Sequence, residues 1–450
     1  MKILLVANYF LYPSSNGGAN MCRCLANGLR NAGHDVVVSC IDFSTLRNAE
    51  YASRQVEQDG LRVLAIRPHE RQAGFVKPLW RMRPDPKMAA IAEKLIITEN
   101  PDIVYVNGGW EIGEFVLTAR ELKIPITFHA HCFGHLCAMQ FLSDGNGRIC
   151  SGPETSGKCF RCLQIGQRLI RSLLEKFSTY YFGKRLVQSF FGKAKTSSFL
   201  LGEAIEDALN YTRKLRNSVN TFIVTSELIA GIHEKYGVSR QRMHVLPHFL
   251  PQDRLERSSL DERDNKNRVR LGYFGRMTAE KGFDLLLNTL SDVEKILPRM
   301  FDLWVISREA DRSYILARLS DAGISPDRLR VFCNLTGSAL NPVLANLDIC
   351  IIPSLCYEIG PLTMLETMAQ GVPCIVSDSV GMSSLIQDGK NGRLFPVGDA
   401  NALKDVLTDL LKQPDIIENW RAFLPEISDE QTYMNHLSEI LYKTKDFPIL

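Results

Sequence analysis

Two successive series of short apolar runs, alternating with amphipathic segments, constrain the fold of this chain more than any other feature. Each run has the length of a buried strand, and the intervening segments place apolar residues at helical spacing. Such alternation is typical of a parallel sheet with helices on both faces. The predicted strands are Ile3–Ala7, Asp35–Ser39, Arg62–Ile66, Ile103–Val106, Ile126–His129, Thr221–Thr225 and Met243–Leu246 in the first series, and Val269–Phe274, Leu303–Ile306, Arg330–Cys333, Ile349–Ile352 and Cys374–Val376 in the second.

The two series predict two α/β domains. Residues 251–268 are polar and mixed in charge, so we interpret them as the linker between the domains. The first domain then covers residues 1–250, with an insertion near 132–219, and the second covers residues 269–425.

Composition and net charge narrow the class of protein. A content of 45% hydrophobic and 23% charged residues is ordinary for a globular protein in water, and a net charge of +3 does not indicate a nucleic-acid partner. No apolar run reaches the roughly 18 residues of a membrane span. Because Ile3–Ala7 is interpreted as a strand and not as part of a signal peptide, we expect a cytoplasmic protein.

The stretch Asp348–Leu394 carries the strongest functional pattern. Glu358 follows a predicted buried strand, and a helix predicted to start near Pro361 carries Glu366. In open α/β sheets ligands bind at the carboxyl ends of the strands, where two carboxylates can accept hydrogen bonds from a polyol. Two solvated surface glutamates are the alternative, and the spacing alone does not decide between them.

A pair of cations stands where the second series of strands begins. Arg276 and Lys281 follow the strand Val269–Phe274, and Thr278 is expected to cap the next helix. A helix N-terminus adds positive charge, and Arg binds phosphate bidentately, so the pattern suits a pyrophosphate. An exposed, solvated Arg and Lys are the alternative.

The first domain offers three further candidates. Gly17 and Gly18 precede a predicted helix, where backbone N–H groups can approach an anionic ligand, although a plain turn would look the same. His129 ends its predicted strand and is expected to point into the crevice, where an imidazole can donate a hydrogen bond or polarise a leaving group. A structural histidine is the alternative for His129.

Four of the cysteines in the insertion are candidate metal ligands, and the last two form a Cys-x-x-Cys pair: Cys137, Cys150, Cys159 and Cys162. Such a pair can hold one tetrahedral ion, and two further thiolates complete a zinc site, although the gaps differ from those of a zinc ribbon or finger. We favour a structural zinc ion over disulfides or over thiols that bind no metal. Several other cysteines lie in apolar runs and are interpreted as buried thiols: Cys40, Cys333, Cys350 and Cys374.

Residues 158–200 are strongly basic and rich in aromatics, with Glu175 as their acidic residue. Two interpretations fit equally: an amphipathic surface that binds anionic lipid, or a helical insertion with its aromatics in its own core. A second cluster could join the same surface: Lys77, Trp80, Arg81 and Arg83. Nucleic acid is less favoured, because no nucleic-acid-binding motif accompanies the charge.

The stretch after the strand Ile349–Ile352 resembles the signature of glycosyltransferase family 4, whose members are retaining nucleotide-sugar transferases of the GT-B fold. The matching residues are Glu358, Gly360, Pro361, Glu366, Ala369, Gly371 and Pro373. The pattern Gly275-Arg276 to Lys281-Gly282 resembles the same family. The resemblance implies two Rossmann-like parallel-sheet domains facing each other across a cleft, with residues 426–450 forming a helix that packs back on the first domain.

The resemblance also implies roles. Glu358 would hold the donor sugar and Glu366 the ribose, with Arg276 and Lys281 on the phosphates and His129 near the anomeric carbon. The remaining implied donor contacts are Gly17, Gly18, Gly360, Pro361 and Leu362. Two places depart from the family pattern: Ala130 follows His129 where Asp is common, and Pro247-His248-Phe249 stands where Pro-Asn-Gly is usual.

The sequence thus predicts a retaining, metal-independent glycosyltransferase of the hexosyltransferase type. It would move a sugar from a UDP- or GDP-sugar to a glycan or lipid-linked acceptor in cell-surface polysaccharide synthesis, without a catalytic cofactor. If the basic region binds lipid, the protein would lie peripherally at the inner face of the membrane. The alternatives are a GT-B sugar isomerase or phosphorylase, and a degenerate glycosyltransferase without activity.

Overall fold

A computed structural model describes the chain apart from residues 13–16, 43–50, 68–81, 110–111, 138–141, 144–148, 153–155, 163–204, 259–267, 336, 380, 382 and 447–450. Most of the basic region, and Lys77, Trp80 and Arg81 of the second cluster, lie outside the described residues.

The chain divides into two compact units. The first contains Met1–Val224, Ile232–His244 and Met434–Leu450, and the second contains Thr225–Gly231 and Val245–Tyr433.

The first unit contains an eight-stranded sheet. Its strands are β1 (Lys2–Ala7), β2 (Asp35–Ile41), β3 (Ser53–Gln58), β4 (Leu61–Ile66), β5 (Ile103–Asn107), β6 (Ile126–His129), β7 (Thr221–Val224) and β8 (Met243–Val245). They are arranged in the order β3-β4-β2-β1-β5-β6-β7-β8. The sheet is parallel from β4 to β7, and β3 pairs with β4 in the antiparallel sense.

Burial explains which of these strands the sequence predicts. The strands β1, β5 and β6 are buried along nearly their whole length, as expected for central parallel strands covered on both faces. The edge strand β3 reads Ser-Arg-Gln-Val-Glu-Gln and is largely exposed, so no apolar pattern marks it.

The helices of the first unit connect these strands. They are α1 (Gly17–Asn31), α2 (Pro86–Glu99), α3 (Gly113–Glu121), α4 (Ser156–Cys162), α5 (residues 205–218) and α6 (Glu227–Lys235), whose first residues are grouped with the second unit. Along α1, Met21, Leu25 and Leu29 are buried, as their four-residue spacing predicts. Gly33 follows with φ of 87°, the left-handed conformation expected of a residue that ends a helix.

The second unit contains a six-stranded parallel sheet. Its strands are β9 (Val269–Phe274), β10 (Phe301–Ser307), β11 (Leu329–Cys333), β12 (Ile349–Ile352), β13 (Cys374–Ser377) and β14 (Gly392–Phe395), arranged in the order β11-β10-β9-β12-β13-β14. Its helices are α7 (Gln252–Leu255), α8 (Phe283–Ile296), α9 (Arg312–Asp321), α10 (Asn341–Ala345), α11 (Leu362–Ala369), α12 (Ala400–Lys412) and α13 (Ile416–Arg421). The last helix, α14 (Glu430–Lys445), begins in this unit, and its residues from Met434 onward belong to the first unit.

Helices cover both faces of this second sheet. Ile349 and Ile351 of β12 pack into one buried cluster with α8 and α12, whereas Cys350 and Ile352 pack into another with α11. Successive side chains of a strand point to opposite faces of the sheet, and here both faces are buried. Every residue of β12 is therefore apolar, and no polar alternation marks the strand. None of the helices among the described residues is both long and apolar enough to cross a membrane.

Candidate functional site

The strand order of the second unit reverses between β9 and β12. From β9 the chain continues to β10 and β11 on one side, and from β12 it continues to β13 and β14 on the other. Ligands of open α/β sheets bind outside the carboxyl ends of the strands at such a reversal. The loop with Arg276 and Lys281 follows β9, and the loop with Glu358 follows β12.

The loop after β9 is packed closely against the loop after β12. Gly282 has φ of 69°, and a Cβ atom there would lie 1.9 Å from the carbonyl oxygen of Pro353. The backbone N–H of Leu355 donates to the carbonyl of Glu280 over 2.8 Å. The backbone therefore fixes Lys281 beside the loop that carries Glu358.

The predicted cap at Thr278 is wrong. Residues Ala279–Lys281 form a 3-10 turn, and α8 begins after Gly282, whose left-handed conformation replaces a side-chain cap. The side chain of Thr278 accepts no capping hydrogen bond from the backbone N–H groups of the turn.

Lys281, Glu358 and Ser354 form a partly buried polar cluster. The ammonium of Lys281 donates to Oε1 of Glu358, and Ser354 Oγ donates to the same oxygen over 2.8 Å. The side chains of Lys281 and Glu358 are 22% and 13% exposed. Burial by itself would lower the pKa of Lys281, but the Glu358 carboxylate attracts the ammonium, and the pKa is raised.

Arg276 lies nearer to solvent. Its guanidinium is 42% exposed and approaches the carboxylate of Glu280 at 3.9 Å, the single ion pair that it makes with a described residue. Its backbone carbonyl accepts a hydrogen bond of 3.0 Å from the buried hydroxyl of Tyr273. The backbone is thus fixed, while the side chain can reach an added anion.

Glu366 lies on α11 and pairs with a residue of the expected linker. The guanidinium of Arg254 of α7 forms an ion pair with Glu366 Oε1 at 2.7 Å, and the two side chains are 9% and 17% exposed. Burial raises the pKa of Glu366 to about 7, although Arg254 lowers it and Asp253 raises it further. Residues 252–255 form a docked helix where the polar composition predicts a linker: the side chain of Gln370 donates to the carbonyl of Arg254 over 3.1 Å.

Close backbone contacts hold the loop around Glu358. Gly381 has φ of 97°, and a Cβ there would lie 1.6 Å from the carbonyl oxygen of Glu358. A Cβ on Gly360 would lie 2.4 Å from the ring of His248, which is buried. Pro361 is the N-cap of α11, and Leu362, the first helical residue, packs partly buried with Leu365.

The first unit places its predicted candidates on two separate elements. Gly17 and Gly18 are exposed and form the first turn of α1. His129 is the last residue of β6 and is fully buried; its Nδ1 is 2.6 Å from the hydroxyl of Tyr105 on the neighbouring strand. The ring of His131 lies 3.9 Å from that of His129, measured between centroids.

Sequence reasoning missed Arg254, Ser354 and Tyr105. Arg254 had a usable signal, because Pro251 before Gln-Asp-Arg-Leu is typical of a helix start. Ser354 follows the predicted strand directly, at the edge where ligands bind. Tyr105 was assigned only to the core of its strand, and no pattern in the sequence pairs it with His129.

The sequence also predicts four buried thiols outside the insertion, and three of these predictions are confirmed. Cys40, Cys350 and Cys374 are buried, as their apolar surroundings predict. Cys333 is only partly buried, because it ends a strand at the edge of the second sheet.

Two family models match most of the chain. The model described as Glycosyltransferase Family 4 matches residues 15–254, and the model described as Glycosyl transferases group 1 matches residues 268–413. The first match alone covers more than half of the chain.

Curated relatives align over shorter regions. Alpha-D-kanosaminyltransferase of Streptomyces kanamyceticus is 23% identical over 213 residues, which cover 45% of this chain and 54% of that protein. Phosphatidyl-myo-inositol mannosyltransferase of Mycobacterium leprae (strain TN) is 26% identical over 142 residues, which cover 32% of this chain and 37% of that protein. The chain therefore spans about half, or less, of the length of these relatives.

The fold is similar to that of solved glycosyltransferases over nearly the whole chain. The structure of HepE from Anabaena, in complex with UDP and glucose, matches with a TM-score of 0.63 and 15% identity. The match covers 98% of this chain and 100% of that one.

Proposed function

Since the chain belongs to glycosyltransferase family 4 and has the GT-B fold, we propose that it transfers a sugar from a nucleotide diphosphate to an acceptor hydroxyl. The observation that carries the proposal is the cluster of Lys281, Glu358 and Ser354 at the strand-order reversal of the second unit. Family membership supports the class of reaction, and this cluster supports the location of the donor.

The cluster suits the sugar end of a donor. Lys281 and Ser354 both bind Oε1 of Glu358, so Oε2 accepts no hydrogen bond from the described part of the chain. A carboxylate oxygen held in this way is oriented before the ligand arrives, and it can accept hydrogen bonds from sugar hydroxyls. We assign Glu358 to the sugar on this basis.

The loop after β9 suits the phosphates. The exposed guanidinium of Arg276 and the ammonium of Lys281 supply two cations at the carboxyl edge of the sheet. Negative charge develops on the nucleotide diphosphate as the glycosidic bond breaks, and fixed cations stabilise it there. The proposal therefore includes a metal-independent reaction with departure and attack on the same face of the sugar, which retains the anomeric configuration.

Glu366 suits the ribose. A carboxylate accepts hydrogen bonds from a diol, and Arg254 holds one of its oxygens. We further propose that the first unit binds the acceptor. The roles implied for Gly17 and Gly18 as donor contacts, and for His129 near the anomeric carbon, stay predictions. Gly360, Pro361 and Leu362 remain candidate donor contacts on the loop and first turn of α11.

The relatives suggest classes of donor and acceptor. HepE is solved with UDP and glucose, and the mycobacterial relative is named for a lipid, phosphatidyl-myo-inositol. We propose a UDP- or GDP-sugar as donor and a glycan or lipid-linked acceptor, within cell-surface polysaccharide synthesis. The basic sequence of residues 158–200 supports peripheral binding to anionic lipid.

The donor assignment can be tested with a panel of nucleotide sugars and no added divalent cation. We expect one donor to be hydrolysed slowly by the wild type, and the initial product to keep the anomeric configuration of the donor by NMR. Glu358→Gln should lower this activity strongly, whereas Glu418→Gln, a variant of a side chain that is 73% exposed in the same unit, should keep it. Absence of binding and hydrolysis for every nucleotide sugar would favour a degenerate protein and overturn the proposal.

Membrane binding can be tested separately by flotation with liposomes. We expect co-flotation with vesicles that contain phosphatidylglycerol at low salt and none with neutral vesicles, because the attraction is electrostatic. Failure to float with either kind of vesicle would contradict peripheral binding and leave the donor assignment untouched.

A further inference from the structure

We propose that Cys137, Cys150, Cys159 and Cys162 bind one structural zinc ion in the first unit. The site is independent of the proposed transferase activity, and its four residues come from three segments that follow β6. Its ligand would be a soft divalent cation that prefers four thiolates in a tetrahedral arrangement.

Two of the cysteines lie on one face of one short helix. Cys159 and Cys162 both belong to α4 and are three residues apart, so their side chains project from the same side. This spacing lets both sulfurs reach one ion without a change in the helix.

A small antiparallel pairing brings the third cysteine to that helix. Ser143 pairs with Ile149, and the N–H of Cys150 donates to the carbonyl of Leu142 over 2.7 Å. The Sγ of Cys162 lies 3.7 Å from the carbonyl oxygen of Ser143, so α4 packs against this pairing. The paired segment thus carries Cys150 to the side of α4.

The fourth cysteine joins from the turn after β6. Cys137 ends this turn, where its N–H donates to the carbonyl of Phe133 over 2.7 Å. Leu142, whose carbonyl accepts the N–H of Cys150, follows Cys137 by five positions. A short stretch of chain therefore connects Cys137 to the pairing that carries Cys150.

The backbone also orients the sulfur of Cys150. The N–H of Gly152 donates to Cys150 Sγ over 3.3 Å, and Gly152 has φ of 108°. Hydrogen bonds of this kind from the surroundings orient metal ligands and stabilise their charge. The Tyr236 hydroxyl donates to the carbonyl of Ser151, which ties the same segment to the residues after α6.

The chemistry of the donor set favours zinc. All twelve cysteines lie in the described part of the chain, and none is joined in a disulfide. A site closed by four thiolates has no position for a substrate, so the ion would be structural. It would join α4 and the pairing of Ser143 with Ile149 to the turn that ends at Cys137.

Metal analysis of the purified, untreated protein is the first test. We expect about one zinc per chain, because four thiolates satisfy one tetrahedral ion. Zinc should fall to a small fraction of this content in Cys159→Ser and Cys150→Ser, and stay unchanged in Cys333→Ser, a partly buried cysteine of the second unit. Full zinc content in both ligand variants would overturn the proposal.

A second measurement, on the wild-type protein, tests the proposal even if the ligand variants fail to fold. Wild-type protein expressed with cobalt should show the intense ligand-field and charge-transfer bands of a tetrahedral tetrathiolate site, and zinc should abolish these bands. Metal-free folded protein, an iron-loaded protein, or mass spectra showing disulfides among the four cysteines would each overturn the assignment. None of these outcomes depends on whether a sugar donor has been found.

Discussion

At the scale of single residues, Glu358 depends on two donors that share one of its oxygens. Glu358→Gln keeps the shape of the side chain and removes the charge that Lys281 and a donor hydroxyl both recognise. We expect kcat/KM for the donor to fall about 10- to 100-fold, because a hydrogen bond to a charged group contributes roughly 1.5–3 kcal/mol. Steady-state kinetics measure this change.

Lys281→Met should also lower kcat/KM for the donor. It should weaken donor binding as well, since it removes a cation assigned to the phosphates. Lys295→Met is a matched control, because Lys295 belongs to the same unit and is 71% exposed. If Lys281→Met bound the nucleotide as tightly as the control, by calorimetry, the phosphate role of Lys281 would be wrong.

Glu366 makes stability depend on pH. Its pKa is raised from 4.5 to about 7 in the folded protein, so the folded state holds a proton that the unfolded state releases. The stabilisation from this proton is fully present below about pH 4.5 and is lost as the pH rises through about 7.

Glu366→Gln stays neutral and should escape this loss. Relative to the wild type, its free energy of unfolding should therefore rise between pH 5 and pH 8, by on the order of 1–3 kcal/mol. Urea denaturation at several pH values measures the difference, with the exposed Glu418→Gln as control. A difference that does not change with pH would show that Arg254 keeps Glu366 ionised throughout.

At the scale of elements, Gly282 decides how closely the two ligand loops approach. Gly282 and Gly323 have nearly the same left-handed φ, 69° and 70°. They differ in their surroundings, because a Cβ at Gly282 would collide with Pro353, whereas nothing lies within 4 Å of a Cβ at Gly323. Gly323→Ala should therefore cost only the conformational strain, about 1–2 kcal/mol.

Gly282→Ala should cost more than Gly323→Ala and should also weaken donor binding, because Lys281 and Glu358 would be pushed apart. Thermal unfolding of the two variants measures the cost in stability, and nucleotide titration measures donor binding. The difference between the variants gives the effect of the collision with Pro353, because both carry the same backbone strain. Equal costs with unchanged binding would mean that the loop after β9 relaxes freely.

The elements show how far the sequence determines the fold. Central strands such as β1 and β12 were predicted because burial on both faces demands apolar residues. The strand β14 is not among the predicted strands: Gly389 makes a turn, and Gly392 begins a strand whose backbone lies against Cys374, where a Cβ would not fit. A glycine required by close approach is indistinguishable, in sequence, from a glycine required by a turn.

The candidate site was predictable to a similar extent. The pairing of Lys281 with Glu358 was not predicted, although both residues were identified as ligands at strand ends. The pairing of Glu366 with Arg254 was missed because the polar residues 251–268 suggest a linker, whereas contacts more than a hundred positions away hold α7 in place. The polar composition of a segment indicates that its residues are exposed on average, but it does not reveal that one arginine of the segment is buried.

At the scale of the whole molecule, the chain returns to its first unit at its end. From Met434 onward α14 is grouped with the first unit, where Leu437 and Leu441 are fully buried. The contact is specific as well as apolar: the hydroxyl of Thr444 donates to Thr221 over 2.8 Å, and Ser438 lies 3.1 Å from a ring nitrogen of His34.

Truncation after Asp429 should therefore destabilise the first unit, which loses buried side chains that each contribute roughly 1.5–3 kcal/mol. We expect faster hydrogen exchange in β1, β2 and β7 and a lower unfolding temperature, while exchange in β12 and β13 changes less because their core lies in the second unit. Truncation after Asp446 removes only the last four residues of the chain and should leave both profiles unchanged. If removing α14 accelerated exchange only in the second unit, the terminal helix would stabilise that unit and not the one to which its last residues belong.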